Sequence, residues 1–532
     1  MRKNKAAGPA ARPRATVVIP THNRPESLQR LLHALAAQSV RAEAFEVVVA
    51  ADGCTDDTAD AVASSGAPFA LNLIELPHLG AAAARNRGAE VAHGDVLIFI
   101  DDDVEPVPTL LEEHLHTLDR HPGAIVLGCT QPVLEMRTVL HAELCRWWHD
   151  HILALRRSDH RFTYRDLHSG NFSIATDLFR AVGGFCEDLP CREDYELGAR
   201  LLARRVEFVF CEGALAYHYE EADLARLLQR AFLEGRADAL IADRHPGLRS
   251  GLSLANEPER DLGRARRRAF RHLGARGAWS WLARRRLALL ESCHLRGRAA
   301  RLARRLRTYW YFRGVAHELR SIDALERLLG AAPPDADPDA LLDVDLRPGL
   351  AAARRVLDER RPHGARLLFG ELEVAVVPPD EGAEPLRGAH LVPALASSDS
   401  FLPALAVECA RWGRPAVHRW LGSDASPEDE IGVSVIVSAD QPAELAATLD
   451  SLAAQGHRRW EAVVVSDLGT FDAGREAAGL QTDARIRHAP IGEPVRPAYE
   501  RAVEINAGKP EIDFSGLLVE SREKRTLEGQ AV

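Results

Sequence analysis

One stretch constrains the fold of this 532-residue chain more than any other: the apolar run Val96-Leu97-Ile98-Phe99-Ile100, followed at once by Asp101, Asp102 and Asp103. Such a run predicts a strand buried in a parallel sheet. Ligands bind at the carboxyl edge of open α/β sheets. Three adjacent carboxylates repel one another unless a positive group lies between them, and their oxygens suit Mg²⁺ or Mn²⁺. The stretch therefore predicts a metal-binding corner, the alternative being a solvated acidic loop.

Strands and helices alternate around this stretch. Residues 16–19, 45–49 and 69–76 have the apolar character of strands. Leucines at positions 28, 31, 32 and 35 recur at helical spacing, and residues 80–92 predict a further helix. This order is typical of βαβ units, so the expected fold class is α/β with a parallel sheet.

Two polar side chains fall near the predicted strand ends. Asp52 follows the second strand, where its carboxylate can accept hydrogen bonds from a nucleobase or a ribose; the alternative is a turn or cap aspartate. Arg85 lies in the small-residue helix, where a guanidinium can reach a phosphate; the alternative is an ordinary surface arginine.

Composition excludes several classes of protein. The net charge of -10 argues against a nucleic-acid partner. The eight scattered cysteines form no zinc-like pairs and predict reduced, mostly buried thiols. Residues 1–14 are basic and lack the apolar core of a signal peptide, so we expect a disordered tail. Without a run of 18 apolar residues, the sequence predicts a cytoplasmic protein.

Four motifs stand in a recognisable order: TVVIPTHNR at 16–24, DGCTDD at 52–57, ARNRG at 84–88 and DDD at 101–103. This order resembles family-2 glycosyltransferases of the GT-A fold. The resemblance implies transfer of a sugar, with inversion, from a nucleotide diphosphate to an acceptor hydroxyl on a glycan (such as one of the cell envelope), a carrier lipid or a small natural product.

The resemblance also implies roles for the donor-side residues. Pro20, Thr21 and Asn23 would line the nucleotide site, and Asp52 would contact the base, commonly the uracil of a UDP-sugar. Ala51 stands where the family often has a second acid, which weakens the expected ribose contacts.

The three aspartates would form the DxD motif of the family. Asp101 and Asp103 are its outer members, and Asp103 would contact Mn²⁺ or Mg²⁺ on the diphosphate. Asp102 would face the ribose or sugar of the donor. His218 resembles the late metal ligand of many GT-A enzymes, the alternative being a buried structural histidine.

The acceptor side resembles the family at two further places. Residues 167–174 resemble its small-polar strand, and residues 191–201 resemble its ED-x-(D/E)-L-x-x-R-L motif. Asp194 would then be the general base that takes the proton of the attacking hydroxyl, with Glu193 assisting. The alternative for Asp194 is a carboxylate that offsets a helix dipole. Nearby aromatic residues can stack on sugars or pack in the core; they are Trp147, Trp148 and Tyr164.

The middle of the chain changes in charge. Residues 251–320 hold 18 arginines against five acidic residues, interleaved with apolar side chains. This pattern is typical of a peripheral contact with an anionic membrane, here at its inner face, or with a phosphorylated carrier lipid. The alternative is a solvated helical hairpin that packs on the catalytic domain.

The C-terminal part repeats the beginning in a degenerate form. Residues 433–437 and 460–467 match the first two strands, and residues 515–517 replace the three aspartates with Ser-Gly-Leu. We expect this half-repeat to do no chemistry and to pack on the first domain or form contacts between copies. The predicted segments are a tail (1–14), a GT-A domain (15–245), an Arg-rich helical segment (246–330), a linker with a small mixed region (331–431) and the half-repeat (432–532).

Two rivals to a glycosyltransferase remain. A non-catalytic scaffold of the same fold would have no reason to hold Asp52, Asp101, Asp103 and Asp194 together. A sugar-nucleotide pyrophosphorylase needs a Gly-rich loop after the first strand, where this chain has Pro-Thr-His-Asn-Arg.

Overall fold

The structure is a computed structural model that describes residues 12–133, 139–219, 224–255, 260–271, 278–330, 341–398, 400–401, 433–438, 442–453, 460–466, 472 and 486–490. Two compact units are present. The first comprises Met1–Val344, Val356–Arg366 and Val376–His390, and the second Asp345–Arg355, Leu367–Ala375 and Leu391–Val532. All the candidate site residues belong to the first unit. Among the described helices, none combines the length and apolar character needed to cross a bilayer.

An eight-stranded mixed sheet forms the centre of the first unit. Its strands are β1 (Ala15–Thr21), β2 (Phe45–Asp52), β3 (Ala70–Leu76), β4 (Val96–Ile100), β5 (Val104–Pro106), β6 (Ile125–Pro132), β7 (Asn171–Ala175) and β8 (Phe208–His218). They are arranged in the order β3-β2-β1-β4-β7-β6-β8-β5. Strands β1 to β4 are parallel neighbours, whereas β7 runs antiparallel to β4 and β6. The predicted α/β fold is confirmed.

Burial explains why these segments form strands. Four residues of β4, from Leu97 to Ile100, are fully buried, as are Val17 and Ile19 of β1. The leucines predicted to share a helical face are also buried, on the helix Pro25–Ala36. Gly88 is required for close packing on β1, because a Cβ there would lie 2.5 Å from a methyl group of Val18.

Fifteen α-helices fall within the described residues. They are α1 (Pro25–Ala36), α2 (Thr58–Ala63), α3 (Ala81–Glu90), α4 (Leu110–Arg120), α5 (Val139–Leu155), α6 (Thr176–Val182), α7 (Glu193–Ala203), α8 (Leu224–Arg244), α9 (Arg260–Arg271), α10 (Ala278–Ser292), α11 (Arg296–Leu319), α12 (Ile322–Gly330), α13 (Leu350–Arg360), α14 (Leu391–Ala396) and α15 (Pro442–Ala453).

The Arg-rich segment packs partly into the core of the first unit. Tyr311, Phe312 and Val315 of α11 are buried in the same apolar cluster as Phe99 of β4. These aromatic residues therefore stabilise the fold and are unavailable to a membrane. The predicted boundary at residue 245 separates two segments that share one core.

Two smaller sheets follow along the chain. Strands β9 (Leu342–Asp345), β10 (Ala365–Phe369) and β11 (Leu372–Val377) form one, in the order β11-β10-β9. Strands β12 (Val433–Ser438), β13 (Trp460–Ser466) and β14 (Ile486–Pro490) form another. In it β12 pairs in parallel with β13, and β13 with β14, as β1, β2 and β3 do. The half-repeat stays a prediction, because residues 467 and 515–517 lie outside the described residues, as do residues 1–11 and the linker 331–340.

Candidate functional site

The site lies where the strand order reverses beside β1. Chain connections leave β1 toward β2 on one side, while β4 lies on the other, and such a switch point opens a crevice at the carboxyl ends of the strands. Thr21 ends β1, Asp52 ends β2, and Asp101 follows β4. The residues predicted to bind the nucleotide are therefore brought to one edge of the sheet.

Asp102 is buried and bonded to protein groups at both oxygens. It accepts a hydrogen bond from the Thr21 hydroxyl at 2.7 Å and one from Arg24 Nη1 at 2.9 Å. Burial raises the pKa of Asp102 to about 6, although the charge of Arg24 opposes that rise. Only 6% of the residue is exposed, and the expected contact with the ribose or sugar of the donor stays a prediction.

Asp103 and His218 form the pair best placed to hold a cation. Asp103 Oδ1 lies 3.4 Å from His218 Nε2, and its other oxygen accepts from Arg24 Nη1 at 2.7 Å. Burial tends to raise the pKa of Asp103, but His218 and Arg24 outweigh it and hold that pKa below its ordinary value.

The chemistry of the Asp103–His218 pair fits a Mg²⁺ or Mn²⁺ ion that completes its shell from a diphosphate. Such ions commonly take only one or two protein carboxylates and share the rest of their shell with substrate phosphates and water. In the described part of the chain, no group of three or more His, Cys, Asp or Glu side chains is arranged to hold a metal.

Arg85 connects the aspartates to the acceptor-side motif. Its Nη2 donates to Asp101 Oδ1 at 2.6 Å and its Nη1 to Glu193 Oε1 at 2.7 Å. The residue is only 4% exposed, and both carboxylates raise its pKa against the effect of burial. Both terminal nitrogens of this guanidinium therefore bond carboxylates, and the predicted phosphate contact stays a prediction. Asp101 is likewise paired with Arg85 rather than with Asp103 and His218.

Asp194 lies beside the aspartate corner at the start of α7. Its oxygens accept hydrogen bonds from the backbone N–H of Ser169 at 3.3 Å and of Tyr195 at 2.8 Å. The next residue after Ser169, Gly170, accepts a hydrogen bond from the N–H of Asp101. One short turn therefore joins the candidate base to the aspartates. Burial raises the pKa of Asp194, and the nearby charge of Arg85 opposes that rise.

Glu193 is buried and serves as the partner of Arg85. Burial raises its pKa, with Arg85 opposing and Asp194 adding to the rise. A carboxylate held in this way positions Arg85, and through it Asp101, which fits the assisting role predicted from the sequence.

Asp52 fixes the loop that leads into α3. Its two oxygens accept hydrogen bonds from the backbone N–H groups of Leu79 at 2.5 Å and Gly80 at 2.8 Å, just before α3. The contact of Asp52 with a nucleobase stays a prediction. Each carboxylate oxygen has a second lone pair, so these two bonds leave capacity for a further donor.

The residues after β1 form the rim of the crevice. Pro20 is buried within β1, and Asn23 is exposed with φ of 53°. The Asn23 side chain accepts a hydrogen bond from the N–H of Thr55 at 2.8 Å, which ties the first motif to the second. His22 contacts the backbone carbonyl of Asp52 at 2.6 Å.

The aromatic residues of the acceptor side separate into two groups. Tyr164 is 4% exposed and packs in the core, as the alternative predicted. Trp147 is 45% exposed, with one face stacked on the ring of His151 at 5.2 Å. Trp148 lies 6.4 Å from His218, measured between ring centroids. These α5 side chains therefore extend from the candidate metal ligand to solvent.

Sequence reasoning missed three residues that organise the site. Arg24 bonds Asp102 and Asp103, and only its place as the last residue of the first motif could have indicated this. Asn86 exchanges two hydrogen bonds with the backbone of Phe185, so α3 fixes the turn Gly183-Gly184-Phe185. Arg200 donates to the carbonyls of Val182 and Gly184, which fixes the same turn from α7.

Comparisons with known proteins agree with this geometry. Residues 16–183 match the family model described as Glycosyl transferase family 2. Validoxylamine A glucosyltransferase of Streptomyces hygroscopicus subsp. jinggangensis (strain 5008) is 33% identical over 227 residues, which cover 36% of this chain and 52% of that protein. Pre-mycofactocin glycosyltransferase of Mycobacterium tuberculosis (strain CDC 1551 / Oshkosh) is 29% identical over 246 residues, covering 45% and 50%. The chain thus spans about half the length of these relatives.

Among solved structures, mannosyltransferase PcManGT from Pyrobaculum calidifontis, in complex with GDP-Man and Mn²⁺, is similar over 45% of this chain and 67% of its own, with 21% identity and a TM-score of 0.35. A score this low does not establish a common fold by itself, so the strand order and the motifs carry the assignment. The family that the motifs predicted is confirmed by the family model. Over residues 16–183 the chain is similar to glycosyl transferase family 2.

Proposed function

We propose that this chain is an inverting, metal-dependent glycosyltransferase that moves a sugar from a nucleotide-diphosphate sugar, a UDP-sugar, to an acceptor hydroxyl. The observation that carries the proposal is the turn 168–170, which joins Asp194 to the aspartate corner through Ser169 and Gly170. A base held beside the donor corner can act on a hydroxyl that approaches the anomeric carbon.

Asp194 is the proposed general base. An alcohol is a poor nucleophile, and a carboxylate that takes its proton during attack speeds transfer by roughly 10²–10⁴-fold. The raised pKa of Asp194 makes it a better proton acceptor than an ordinary aspartate. One displacement assisted by one base inverts the anomeric centre.

Asp103 and His218 are the proposed holders of the divalent cation, supported by the 3.4 Å distance between Asp103 Oδ1 and His218 Nε2. When bound, the cation would neutralise the negative charge of the departing diphosphate. Arg85 keeps Asp101 and Glu193 in fixed positions through two hydrogen bonds, and its positive charge offsets the repulsion between these two acids.

Trp147 is the proposed acceptor platform. Its indole is 45% exposed while one face is covered by His151, which leaves an apolar surface next to polar groups. Such a surface suits the C–H face of a sugar or cyclitol ring, whereas a flexible acyl chain would gain no alignment from it. The acceptor class that this favours is a ring-shaped polyol, in a glycan or in a small natural product.

A panel of nucleotide sugars, with and without Mn²⁺, tests the proposal through donor hydrolysis and transfer. Asp194→Asn is expected to lower turnover by about 10²–10⁴-fold with nucleotide affinity nearly unchanged, because only the proton acceptor is removed. Asp103→Ala should instead weaken Mn²⁺-dependent nucleotide binding. Asp177→Asn, at an exposed position in the first turn of α6, is the matched control.

Two results would contradict the proposal. Full turnover in Asp194→Asn would remove the general base from the mechanism. A wild-type protein that binds no nucleotide sugar of the panel, with or without Mn²⁺, would favour the rival non-catalytic scaffold.

A further inference from the structure

The helix α10 exposes large apolar side chains to solvent. Trp281 is 54% exposed, Leu282 58% and Leu289 63%, and Leu295 just beyond the helix is 43% exposed. Scattered exposed leucines are ordinary, but several within 15 residues form a contiguous patch, and such patches mark interaction sites.

Helical geometry places three of these side chains on one face. Successive residues are rotated by about 100° in a helix with 3.6 residues per turn, so Trp281, Leu282 and Leu289 fall within about a third of the circumference. The opposite face carries Ala283 and Leu287, which are buried in a cluster with residues of α8 and α11. The helix is thus anchored on one side, and its other apolar side has no cover among the described residues.

Arginines surround this apolar patch. Those on α10 and the start of α11 are Arg284, Arg285, Arg286, Arg296 and Arg298, all exposed. None of the five forms an ion pair with a carboxylate of the described residues. The guanidinium of Arg285 lies over the Trp281 ring at 4.3 Å. The acid on α10, Glu291, is only partly exposed and accepts a hydrogen bond from the N–H of Val139.

We propose that this surface, the α10 face, docks on an anionic phospholipid membrane. The α10 face comprises Trp281, Leu282, Leu289, Leu295 and the five arginines. Guanidinium groups match lipid phosphates, while the indole and leucines enter the boundary between headgroups and acyl chains. The chain as a whole is acidic, so the attraction depends on a local cluster of arginines such as this one.

An anionic membrane explains the combination better than other partners. A nucleic acid would pair with the arginines but would leave the leucines in water. A protein partner would have to offer both an apolar surface for the leucines and a set of carboxylates that matches the five arginines. The membrane alone satisfies both the apolar patch and the unpaired cations. Membrane docking by the α10 face is a separate property of the chain and does not depend on the transfer reaction.

Vesicle sedimentation of the full chain tests the proposal. We expect binding to vesicles of phosphatidylcholine mixed with phosphatidylglycerol, little binding to phosphatidylcholine alone, and weaker binding as salt increases. The variant Arg284→Gln/Arg285→Gln/Arg286→Gln should bind about 100-fold more weakly, at about fivefold per arginine. The variant Trp281→Ala/Leu282→Ala/Leu289→Ala should also lose binding, because apolar insertion is removed.

Matched controls separate the α10 face from general surface chemistry. Arg354→Gln/Arg355→Gln removes two exposed arginines of α13, and Leu372→Ala removes a leucine that is 56% exposed. Both controls should bind vesicles as the wild type does. Equal binding to neutral and anionic vesicles, or α10 variants that sediment like the controls, would overturn the proposal. The proposal would also be overturned if the chain bound no vesicles and instead formed a dimer that the variant Trp281→Ala/Leu282→Ala/Leu289→Ala dissociates.

Discussion

Two sets of arginines in the first unit differ in what neutralises them. In the crevice, Arg85 is 4% exposed and lies between two carboxylates, and Arg24 bonds two more. On the α10 face, Arg284 and Arg286 are exposed and pair with no carboxylate of the described residues. The same side chain therefore serves as an internal counter-charge in one place and as an unpaired external charge in the other.

The arginines of the crevice change the expected role of a metal ion at the three aspartates. The sequence predicted that adjacent acids need a metal ion between them, yet Asp101 is neutralised by Arg85 and Asp102 by Arg24. Asp103, which Arg24 and His218 share, keeps the geometry for a cation. The protein itself supplies most of the positive charge, so a metal ion has to serve the diphosphate rather than hold the acids together.

The largest expected effect belongs to the most buried arginine. Arg85→Met should lower the free energy of unfolding by about 3–5 kcal/mol, because it leaves the buried Glu193 and the partly exposed Asp101 without their counter-charge. Chemical denaturation followed by tryptophan fluorescence measures this loss. Arg85→Lys is a control that keeps the charge but cannot donate to both carboxylates from one plane, and we expect an intermediate loss. A loss below about 1 kcal/mol for Arg85→Met would show that the pair is not a structural counter-charge.

A buried histidine makes the stability of the fold depend on pH. His114 is fully buried between the neutral side chains of Ser173 and Asn171, and burial lowers its pKa to about 4. In the unfolded chain the pKa is near 6.5. Between these values the unfolded state binds the extra proton, so stability is complete above pH about 6.5 and falls toward pH about 4, by about 3 kcal/mol.

Unfolding curves of the wild type and of His114→Gln across that pH range measure the contribution. The free energy of unfolding of the variant should change less steeply with pH than that of the wild type, by at most about 1.4 kcal/mol per pH unit. His294→Gln, at an exposed position beside α10, should leave the slope unchanged. An NMR titration of His114 with a midpoint near 6.5 in the folded protein would contradict the argument.

Arg24 should give a smaller effect than Arg85. Its side chain is 45% exposed, so solvent screens its bonds to Asp102 and Asp103. We expect Arg24→Gln to lower the free energy of unfolding by about 1 kcal/mol, measured as for Arg85. A loss as large as that of Arg85→Met would mean that the exposure of an arginine does not determine how much it contributes to the free energy of unfolding. Arg30→Gln on α1, where Arg30 donates to Ser27 and lies over the Tyr219 ring at 5.7 Å, is the control.

The donor side of the site could be predicted from patterns within short stretches of the sequence. The apolar run before Asp101, the helical leucines of α1 and the position of Asp52 at a strand end depend on residues close in sequence, and the structure places all three as expected. The family motifs added Asp194, whose closeness to the aspartate corner depends on residues some 90 positions apart. Spacing alone could not have supplied that contact.

The partners of charged residues were not predictable in the same way. Arg85 was assigned to a phosphate because its helix is surrounded by small residues, but Glu193, 108 positions away, occupies one of its nitrogens. In the Arg-rich segment, likewise, periodicity could not tell that Tyr311 and Phe312 are buried while Trp281 and Leu282 are exposed. Burial depends on long-range packing, and it decides what each of these side chains does.

The smallest expected effect on stability belongs to the α10 face. Arg284→Gln/Arg286→Gln should change the free energy of unfolding by less than about 0.5 kcal/mol, because neither side chain pairs with a carboxylate of the described residues and both are exposed. Denaturation in low salt is the sensitive measurement, and removal of like charges that repel one another should, if anything, stabilise the fold slightly. A loss comparable to that of Arg24→Gln would show that these arginines serve internal contacts. The distinction between paired and unpaired arginines would then fail, and the α10 face would have no free charge to offer a membrane.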